Sequence, residues 1–251
     1  MKKRIAFVHN AMWEMYNFRG ELLQELKAKG YEITVICPPD EKNAHYFTDL
    51  GIKLLTVPMS RKGTNIKEDV QLVKNLFKVY KKEKFDLVFH YTIKPNIYGT
   101  LAAKLAGIKS IAITTGLGYV FLHNNITSLI AKFMYKFSLA FANEVWFLND
   151  DDMNIFLDKD LITERQAFKL PSEGINTKRF VPKEKNRKDS KTVFLMIARV
   201  LYDKGFNEYL EAAKLIKAQR NDVEFQLLGA IDSGNPSGVP QSVVEDAVSN
   251  G

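Results

Sequence analysis

"RIAFVHNAMWEMYNFRGELLQELKAKGYEITVICPP", residues 4–39, is the stretch that decides the fold class. It opens with the short apolar run "RIAFVHN", which is rich in strand-forming residues. The segment "RGELLQELKAKG" has leucines at helical spacing and ends at Gly30, and "YEITVICPP" is a strand that two prolines stop. The stretch therefore predicts a strand, a loop "HNAMWEMYNFRG", a helix and a second strand.

The same alternation continues along the chain. Further strand-like runs are "KLLTVP", "FDLVFHY", "SIAITTG" and "EVWFLN", and further helical segments are "IKEDVQLVKNLFKVYKKEK", "NIYGTLAAKLAG" and the stretch near residues 128–142. Strands that alternate with helices are typical of a parallel sheet with helices on both faces, and continuously apolar strands are typical of burial on both sides. The sequence therefore predicts an α/β protein with a parallel sheet.

The character of the sequence changes near Leu170. There "LPSEGINTKRFVPKEKNRKDSK" combines prolines, a glycine and many charges without apolar periodicity. After it, "KTVFLMIA", "GFNEYLEAAKLIKAQR" and "VEFQLLGA" form a second strand–helix–strand unit. One such unit exposes sheet edges and does not make a conventional core alone. We predict an N-terminal domain at residues 1–170, a linker at 171–190 and an incomplete second domain at 191–251.

Composition narrows the function classes. The 251 residues are 46% hydrophobic, enough for one large core or two smaller ones. The net charge of +7 favours anionic partners such as phosphates, nucleic acid or an acidic membrane surface. The single cysteine, Cys37, excludes a disulfide framework, and we expect an intracellular protein in which Cys37 is a small core residue. No apolar run is long enough for a membrane span, and the N-terminus lacks a signal-peptide core.

Two cations flank the point where the strand of "FLMIARVLYDKGFNEYLEAAKLI", residues 194–216, passes into a helix. Helix N-termini carry unpaired N–H groups and partial positive charge, so Arg199 and Lys204 beside one would suit a phosphate or diphosphate. The alternative is that both are solvated loop charges, one of them paired with Asp203. These residues alone leave both interpretations open.

Four stretches together carry a family resemblance. "ARVLYDKGFNEYLEAAKLI" resembles the strand–loop–helix that opens the second domain of the retaining family-4 glycosyltransferases, and "LPSEGINTKRFVP" is similar to their interdomain segment. "FHYTIKPNIYGTLAAKLAGIKSIAITTGLGYVF" resembles the cleft-facing stretch of the capsular and exopolysaccharide transferases of that family, and "MYNFRGELLQELKAKGYEITVICP" resembles their opening unit. The resemblance spans nearly the whole chain in the right order. It implies the GT-B fold, in which two Rossmann-like domains face each other across a cleft, the N-terminal one binding the acceptor and the C-terminal one the nucleotide sugar.

The resemblance also implies an activity. Such an enzyme moves a hexose from a nucleotide-diphosphate sugar to a saccharide or lipid-linked saccharide, with retention of configuration, in surface polysaccharide synthesis. The family also has two glutamates, separated by seven residues, that contact the donor's sugar and nucleotide further along the chain. We therefore expect a truncated donor domain, catalytic carboxylates beyond residue 251, and a fragment that is inactive alone.

Site residues follow from the same resemblance. Arg199 and Lys204 match the residues that hold the donor diphosphate, and their charge would replace a metal, so we expect no metal and no cofactor. The family's loop after the first strand is often glycine-rich; here no glycine precedes Gly20, so we expect the side chains of Asn17 and Arg19 to act instead. The other cleft or acceptor candidates are His90, Thr115, Gly116 and Gly118, and Glu173 and Gly174 belong to the interdomain segment.

Several motifs have a structural alternative. "NDDD", Asn149–Asp152, evokes the metal site of GT-A transferases, but acidic residues before a helical segment fit a helix N-terminus better, as caps and dipole partners. His90, at a strand end, is as well suited to a structural hydrogen bond as to a substrate contact. The basic amphipathic segments "IKEDVQLVKNLFKVYKKEKF" and "SLIAKFMYKFSLAF" can lie on an anionic bilayer or pack one face on the sheet.

Three function classes remain. We expect a cytoplasmic transferase that binds a nucleotide sugar and a saccharide or lipid-linked acceptor, with peripheral contact at the inner membrane face left open. A GT-B-fold sugar-nucleotide epimerase would use the same cleft without an acceptor, although the Arg-x4-Lys-Gly pattern speaks against it. A basic nucleic-acid-binding module fits the charge, but the aromatic residues lie in core-like runs rather than on a basic face, so we expect no nucleic-acid partner.

Overall fold

The computed structural model describes residues 2–60, 65–117, 121, 126–182, 191–232 and 234–249. The chain divides into two compact units, Met1–Ile175 (unit 1) and Asn176–Gly251 (unit 2). The first five residues of the segment predicted as a linker, 171–175, thus belong to unit 1. The role of each domain in binding donor or acceptor stays a prediction.

Unit 1 contains a sheet and helices in alternation. The strands are β1 (Arg4–Val8), β2 (Glu32–Cys37), β3 (Lys53–Thr56), β4 (Leu87–Tyr91), β5 (Lys109–Thr114), β6 (Glu144–Phe147) and β7 (Ala167–Lys169). The helices are α1 (Met12–Ala28), α2 (His45–Asp49), α3 (Ile66–Glu83), α4 (Thr100–Ala106), α5 (Ile126–Leu139) and α6 (Asp150–Asp158), and one π-helical turn, Pro95–Gly99, leads into α4. Every strand and helix predicted for this part is present. The short elements α2 and β7 were not predicted, because neither is long enough to show a period.

All seven strands of unit 1 are parallel, in the order β3-β2-β1-β4-β5-β6-β7. The chain builds outward from β1 to β3 and then returns to the other side of β1, so the strand order reverses between β1 and β4. The register places Val8 opposite Ile36 of β2 and His90 of β4. The predicted α/β fold with a parallel sheet is confirmed.

Helices cover both faces of this sheet, as predicted. Successive side chains of a strand point to opposite faces. Phe7 of β1 therefore packs in a core with Met15 of α1, whereas the next residue, Val8, packs in a second core with Leu76 of α3. A third core, between α5, α6 and strands β5 and β6, is centred on Phe156. Cys37 is fully buried, and burial raises the pKa of its thiol to about 12, so the predicted core role is confirmed.

Helix α1 begins earlier than the sequence predicted. The residues expected to form a loop up to Gly20 are helical from Met12 onward. Met12, Met15 and Leu23 are buried at helical spacing, so packing on the sheet holds the first turns although Ala11 provides no side-chain cap. This corrects the predicted loop and places Asn17 and Arg19 on a helix.

Unit 2 contains the second strand–helix–strand motif, as predicted. Strands β8 (Thr192–Ile197) and β9 (Val223–Leu228) are parallel, and Phe194 stacks on Phe225 with ring centroids 4.7 Å apart. A 3-10 turn, Tyr202–Lys204, precedes helix α7 (Phe206–Lys217), and the last element is helix α8 (Gln241–Ser249). The buried cluster of this unit comprises Val200, Phe206 and Val239.

Among the residues that the structure describes, no helix is both long and apolar enough to cross a membrane.

Candidate active site

The carboxyl ends of β1 and β4 meet where the strand order of unit 1 reverses. Open α/β sheets bind ligands in the crevice outside the carboxyl ends of their strands at such a reversal. His9 directly follows β1 and Tyr91 is the last residue of β4; both are buried, and their ring centroids are 6.0 Å apart. Helix α1 follows at once, so its first turns border the same crevice.

Arg19 of α1 is a buried cation at this edge, with only 5% of its surface exposed. Its Nη2 donates a hydrogen bond to Oε1 of Glu173, and its Cζ lies 4.5 Å from the centroid of the Tyr91 ring. A buried charge needs such partners, because burial without them is costly. Its Nε has no hydrogen-bond partner within the described ranges, so one donor of the guanidinium is left over. We call Arg19, Tyr91 and Glu173 the Arg19 cluster.

The Arg19 cluster offers hydrogen-bond donors rather than a base. Burial raises the pKa of Tyr91 to about 12, although the neighbouring guanidinium opposes the shift. The phenol therefore stays protonated at neutral pH and can donate. The Glu173 side chain is 28% exposed, so the cluster borders solvent on that side. A guanidinium and a phenol of this kind can bind hydroxyl or phosphate oxygens.

His9 lies beside the cluster in a defined tautomer. Its Nδ1 accepts a hydrogen bond of 2.9 Å from the Ala11 N–H, so a neutral ring carries its proton on Nε2. That Nε2 is 3.8 Å from Oε2 of Glu14. Neither His9 nor Tyr91 was among the site residues that the sequence predicted; the available signal was that each stands at the carboxyl end of a strand.

A second polar cluster borders a cleft in unit 1. The buried Lys94 Nζ donates to Oδ1 of Asp69 at 2.7 Å and to Oγ of Ser60 at 2.8 Å, and the Tyr98 hydroxyl donates to Oδ2 of Asp69 at 2.8 Å. The cleft has a volume of about 630 Å³, and its lining includes Lys94, Asp69 and the apolar Met59. Burial and the Asp69 carboxylate raise the pKa of Tyr98. The sequence did not predict this cluster, because its residues are brought together only by packing of α3 against the turn that follows β4.

His90 is not a cleft residue, which corrects one prediction. It is fully buried, with Nε2 2.9 Å from the Tyr80 hydroxyl and Nδ1 3.3 Å from Oγ1 of Thr100. Burial lowers its pKa to about 3, so the ring is neutral. Alternation along β4 is the physical reason: His90 points toward α3, and the next residue, Tyr91, points toward α1 and the crevice. The structural alternative for His90 is therefore the one that the geometry supports.

Asn17 is not joined to Arg19. Both lie on α1, but Asn17 is exposed whereas Arg19 is buried. Residues two apart on a helix point in different directions, so the two side chains that were predicted to act together face apart. Only Arg19 takes part in the cluster.

The residues after β4 and β5 are partly described. Thr115 and Gly116 are exposed directly beyond β5, Gly116 has a φ of 143°, and Gly118 lies outside the described residues. Thr92, the first residue after β4, has a φ of 70°, which is rare for a β-branched residue, and its buried Oγ1 has no hydrogen-bond partner among the residues described. Strained backbone of this kind is found preferentially at ligand sites.

Glu173 and Gly174, the two candidates of the interdomain segment, have different roles. Glu173 joins Arg19, which stands 154 positions earlier in the chain. Gly174 has a φ of 75°, which favours glycine, and its N–H donates to Oγ of Ser172 at 2.9 Å. Gly174 therefore shapes the turn that presents Glu173.

In unit 2, Arg199 and Lys204 both lie on the segment between β8 and α7, and both are exposed. Nη1 of Arg199 is 3.5 Å from Oδ2 of Asp232, an acidic neighbour that the sequence did not suggest. Gly205, with a φ of 85°, turns the chain into α7 directly after Lys204. Their role in binding a diphosphate stays a prediction.

The acidic run before α6 has the structural role that was favoured over a metal site. Oδ1 of Asn149 accepts a hydrogen bond of 2.7 Å from the Asp152 N–H, which caps the helix. Asp150 pairs with Lys169 at 2.7 Å, and Asp150, Asp151 and Asp152 all stand in the first turn, where negative charge is favourable. Within the described parts of the chain, no group of three or more His, Cys, Asp and Glu side chains could hold a metal ion.

Two characterised enzymes are similar in sequence. An N,N'-diacetylbacillosaminyl-diphospho-undecaprenol alpha-1,3-N-acetylgalactosaminyltransferase of Campylobacter jejuni is 33% identical over 253 aligned positions, covering 93% of this chain and 65% of that enzyme. A UDP-Gal:alpha-D-GlcNAc-diphosphoundecaprenol alpha-1,3-galactosyltransferase of Escherichia coli is 26% identical and covers 74% of this chain and 50% of its own length. The chain thus spans less than two thirds of each.

Solved structures support the fold. A glycosyltransferase from Rickettsia africae superposes with a TM-score of 0.68 at 19% identity, covering 99% of this chain and 65% of that one. A UDP-N-acetylglucosamine 2-epimerase superposes with a TM-score of 0.60 at 14% identity, covering 90% of this chain and 63% of that one. Because both reaction types share this architecture, the likeness supports the predicted GT-B fold but not one chemistry.

The sequence model of a single family covers more than half of the chain. Residues 4–149, which include β1, the Arg19 residue and the turn after β4, match the model described as glycosyl transferase 4-like. The protein therefore belongs to the glycosyl transferase 4-like family.

Proposed function

We propose that the protein takes part in transferring a hexose from a UDP-sugar to a saccharide carried on undecaprenyl diphosphate, in the synthesis of a surface polysaccharide. One observation carries the proposal: the 33% identity, over 93% of this chain, to a transferase whose name specifies such a lipid-linked acceptor. The second relative, whose name specifies UDP-Gal and another diphosphoundecaprenol acceptor, supports the same pairing of donor and acceptor.

Unit 1 would bind the acceptor. The Arg19 cluster places a guanidinium with a spare Nε–H and a protonated phenol at the strand-order reversal, where oxygen-rich ligands are expected. The exposed Thr115 and Gly116 beyond β5 lie on the same edge of the sheet. These donors suit sugar hydroxyls and phosphate oxygens alike.

Unit 2 would bind the donor. Arg199 and Lys204 stand between the carboxyl end of β8 and the N-terminus of α7, where unpaired backbone N–H groups add to their charge. As the glycosidic bond breaks, negative charge develops on the departing UDP, and two cations placed there stabilise it. The reaction would then need no divalent cation, and activity would persist in a chelator such as EDTA.

Retention of configuration belongs to the same proposal. The names of both relatives specify an alpha linkage in the product, and UDP-Gal, named for the second, carries an alpha-linked sugar. An alpha product from an alpha donor requires retention.

The donor site has a direct test. The double substitution Arg199→Ala, Lys204→Ala should weaken UDP binding, measured by calorimetry, at least about 10-fold, because each charge-assisted hydrogen bond is worth roughly 1.5–3 kcal/mol. The matched control, Lys214→Ala with Lys217→Ala, removes two cations from α7 of the same unit and should leave the affinity within about 2-fold. Equal losses in both double variants would show that net charge, not these two residues, binds UDP.

A second candidate function is a sugar-nucleotide epimerase, with which the fold is also compatible, since a UDP-N-acetylglucosamine 2-epimerase has a similar fold. The two reactions differ in their need for an acceptor. Incubation of the full-length enzyme with UDP-sugars, followed by NMR, should show UDP release only when an undecaprenyl-diphosphate saccharide is added. A new UDP-sugar epimer formed without acceptor would establish the epimerase instead. Tight, strongly salt-dependent binding of single-stranded DNA, with no affinity for UDP, would favour a nucleic-acid module.

A further inference from the structure

Helix α5 has its apolar side facing outward. Ile126, Leu129, Ile130, Phe133, Phe137 and Phe141 recur every three or four residues along α5 and just beyond it, and all are exposed. We call these six residues the α5 outer face. Phe133 is 69% exposed, and the rings of Phe137 and Phe141 lie 5.5 Å apart in an edge-to-face contact, so the stripe is continuous. A surface helix of a globular protein ordinarily points such a stripe at the core.

The inward side of α5 is smaller and more polar than its outer face. The residues it buries include Ser138 and Tyr135, together with Leu139. Oγ of Ser138 has no hydrogen-bond partner in the described part of the chain, and the core behind the helix is completed by Phe156. Burial of the inner side therefore holds α5 on the unit, while the six large apolar side chains of the outer face remain exposed to water. Large contiguous apolar patches are uncommon on the surface of soluble monomers and mark interaction sites.

The structure separates the two basic helices that the sequence left equivalent. Helix α3 packs Leu72, Leu76 and Tyr80 into the core, so its amphipathic pattern is accounted for by the sheet. It also carries Glu68 and Asp69 in its first turn. Only α5, of these two, turns its apolar side away from the protein.

The stretch of chain that contains α5 is cationic. The sequence contains no Asp or Glu between Asp86 and Glu144, whereas lysines recur throughout that interval. Nζ of Lys104, on α4, lies 5.5 Å from the ring of Phe141, and Lys136 is exposed on α5 itself. Apolar side chains with lysines beside them, on a stretch of chain without acids, match the interface of an anionic bilayer, where the apolar groups enter the headgroup boundary and the ammonium groups meet lipid phosphates.

We infer that the α5 outer face seats unit 1 on an anionic membrane surface. The proposal assigns a membrane-facing surface to the transferase proposed above and in that sense rests on it, since a lipid-linked acceptor is presented at such a surface. The lipid contact itself is measured without donor or acceptor, so the two can fail separately.

The test is flotation of the purified protein with vesicles of phosphatidylethanolamine and phosphatidylglycerol, compared with vesicles of phosphatidylcholine alone. Wild type should float with the anionic vesicles, and Phe133→Asp with Phe137→Asp should lower the partition coefficient at least about 10-fold, because it places two acids in the headgroup region. The matched control is Ile66→Asp with Val70→Asp on α3, which changes two exposed apolar residues with the same spacing and the same net charge. This control should stay within about 2-fold of wild type.

Three results would overturn the proposal. These are an absence of wild-type flotation, equal losses in both double variants, and unchanged flotation of the α5 variant. If sedimentation velocity shows a wild-type dimer that the α5 variant dissociates, and wild type does not float, the outer face is an interface between copies of the chain. Vesicle binding as expected, with no transfer from any UDP-sugar by the full-length enzyme, would leave the surface assignment intact and reject the proposed function.

A second variant tests the proposal even if the double aspartate variant does not fold. Phe133→Trp keeps the outer face apolar, and its fluorescence emission should shift to the blue when anionic vesicles are added. Ile66→Trp, at a position of similar exposure on α3, should show no shift above the background of Trp13 and Trp146. An equal response of both tryptophan variants would contradict the assignment.

Discussion

Arg19 joins distant parts of unit 1 through one guanidinium. It reaches from α1 to Tyr91 at the end of β4 and to Glu173 at the far end of the unit. A lysine could keep the charge, but it lacks the planar guanidinium that contacts the ring and donates a directed hydrogen bond at the same time. The cluster is therefore specific to arginine, and it forms where the strand order makes a ligand crevice.

His90 and Tyr91 are neighbours on β4, but His90 has a structural role and Tyr91 borders the candidate site. His90 is enclosed with Tyr80 and Thr100, and it is neutral because burial lowers its pKa to about 3. Tyr91 faces Arg19 and the crevice edge. The strand-end histidine is thus a core residue, and the tyrosine beside it borders the site.

The buried His90 predicts that stability falls in acid. Burial lowers its pKa from 6.5 to about 3 in the folded protein. Between these two pH values the unfolded chain is therefore protonated at this residue, whereas the folded chain is not. The free energy of unfolding should therefore fall by up to about 1.4 kcal/mol per pH unit in this window on account of this one group. Urea titrations at pH 7 and pH 5 of wild type and His90→Gln would measure the difference in slope.

The control for that experiment is the exposed His45. His45→Gln should keep the wild-type dependence of stability on pH, because the His45 side chain is exposed to solvent whereas that of His90 is buried. A slope that His90→Gln leaves unchanged would mean that the ring is not buried in its neutral form.

At the scale of elements, the turn after β4 is placed by its close approach to that strand. The π-helical turn Pro95–Gly99 packs over His90, and a Cβ added to Gly99 would lie 2.6 Å from the imidazole Cδ2. The same turn leads into α4 and carries Lys94 toward Asp69 at its start. The position of the polar cluster around Lys94 and Asp69 thus depends on Gly99, because the glycine lets the turn contact β4.

Gly99→Ala should therefore destabilise unit 1 by roughly 1–3 kcal/mol, as expected for overpacking a buried contact. The comparison is Gly20→Ala in α1, where the added Cβ would be 3.3 Å from the Tyr16 ring, a much milder contact than at Gly99, and alanine is the better helix former. We expect that variant within about 1 kcal/mol of wild type. Chemical denaturation of both would show the contrast, and equal effects would mean that the turn does not press on His90.

At the scale of the whole molecule, the two units have cores of different size. Unit 1 buries three clusters around a seven-stranded sheet, whereas the buried cluster of unit 2 is built around Phe206 beside a two-stranded sheet. Buried apolar area is the main source of stability, so unit 2 should be the weaker.

Unfolding in urea should therefore show two steps. Both tryptophans, Trp13 and Trp146, lie in unit 1, so their fluorescence reports that unit, while far-ultraviolet circular dichroism reports the helices of both. The circular dichroism signal should begin to fall at a lower urea concentration than the fluorescence signal changes. Coincident curves would show that the chain unfolds as one cooperative unit.

Local patterns in the sequence were sufficient to predict most elements. The apolar runs predicted all long strands, and helical spacing predicted α3, α5 and α7, because period and length are visible in a short window. The start of α1 was missed, since Met12 and Met15 are held by the sheet rather than by any local cap. Of the candidate site, Arg19 and Glu173 were named separately, but their pairing across 154 positions could not be read from spacing.

The sequence by itself determined the parallel α/β architecture and the membership of the glycosyl transferase 4-like family, because both depend on short-range periodicity and on motifs that are continuous in the chain. Tertiary structure alone decided that His90 is core, that Arg19, Tyr91 and Glu173 form one cluster, and that α5 rather than α3 presents its apolar side outward. Each of these depends on which side of an element faces a neighbour. That choice is made by packing between residues that are far apart in the chain, and no local pattern records it.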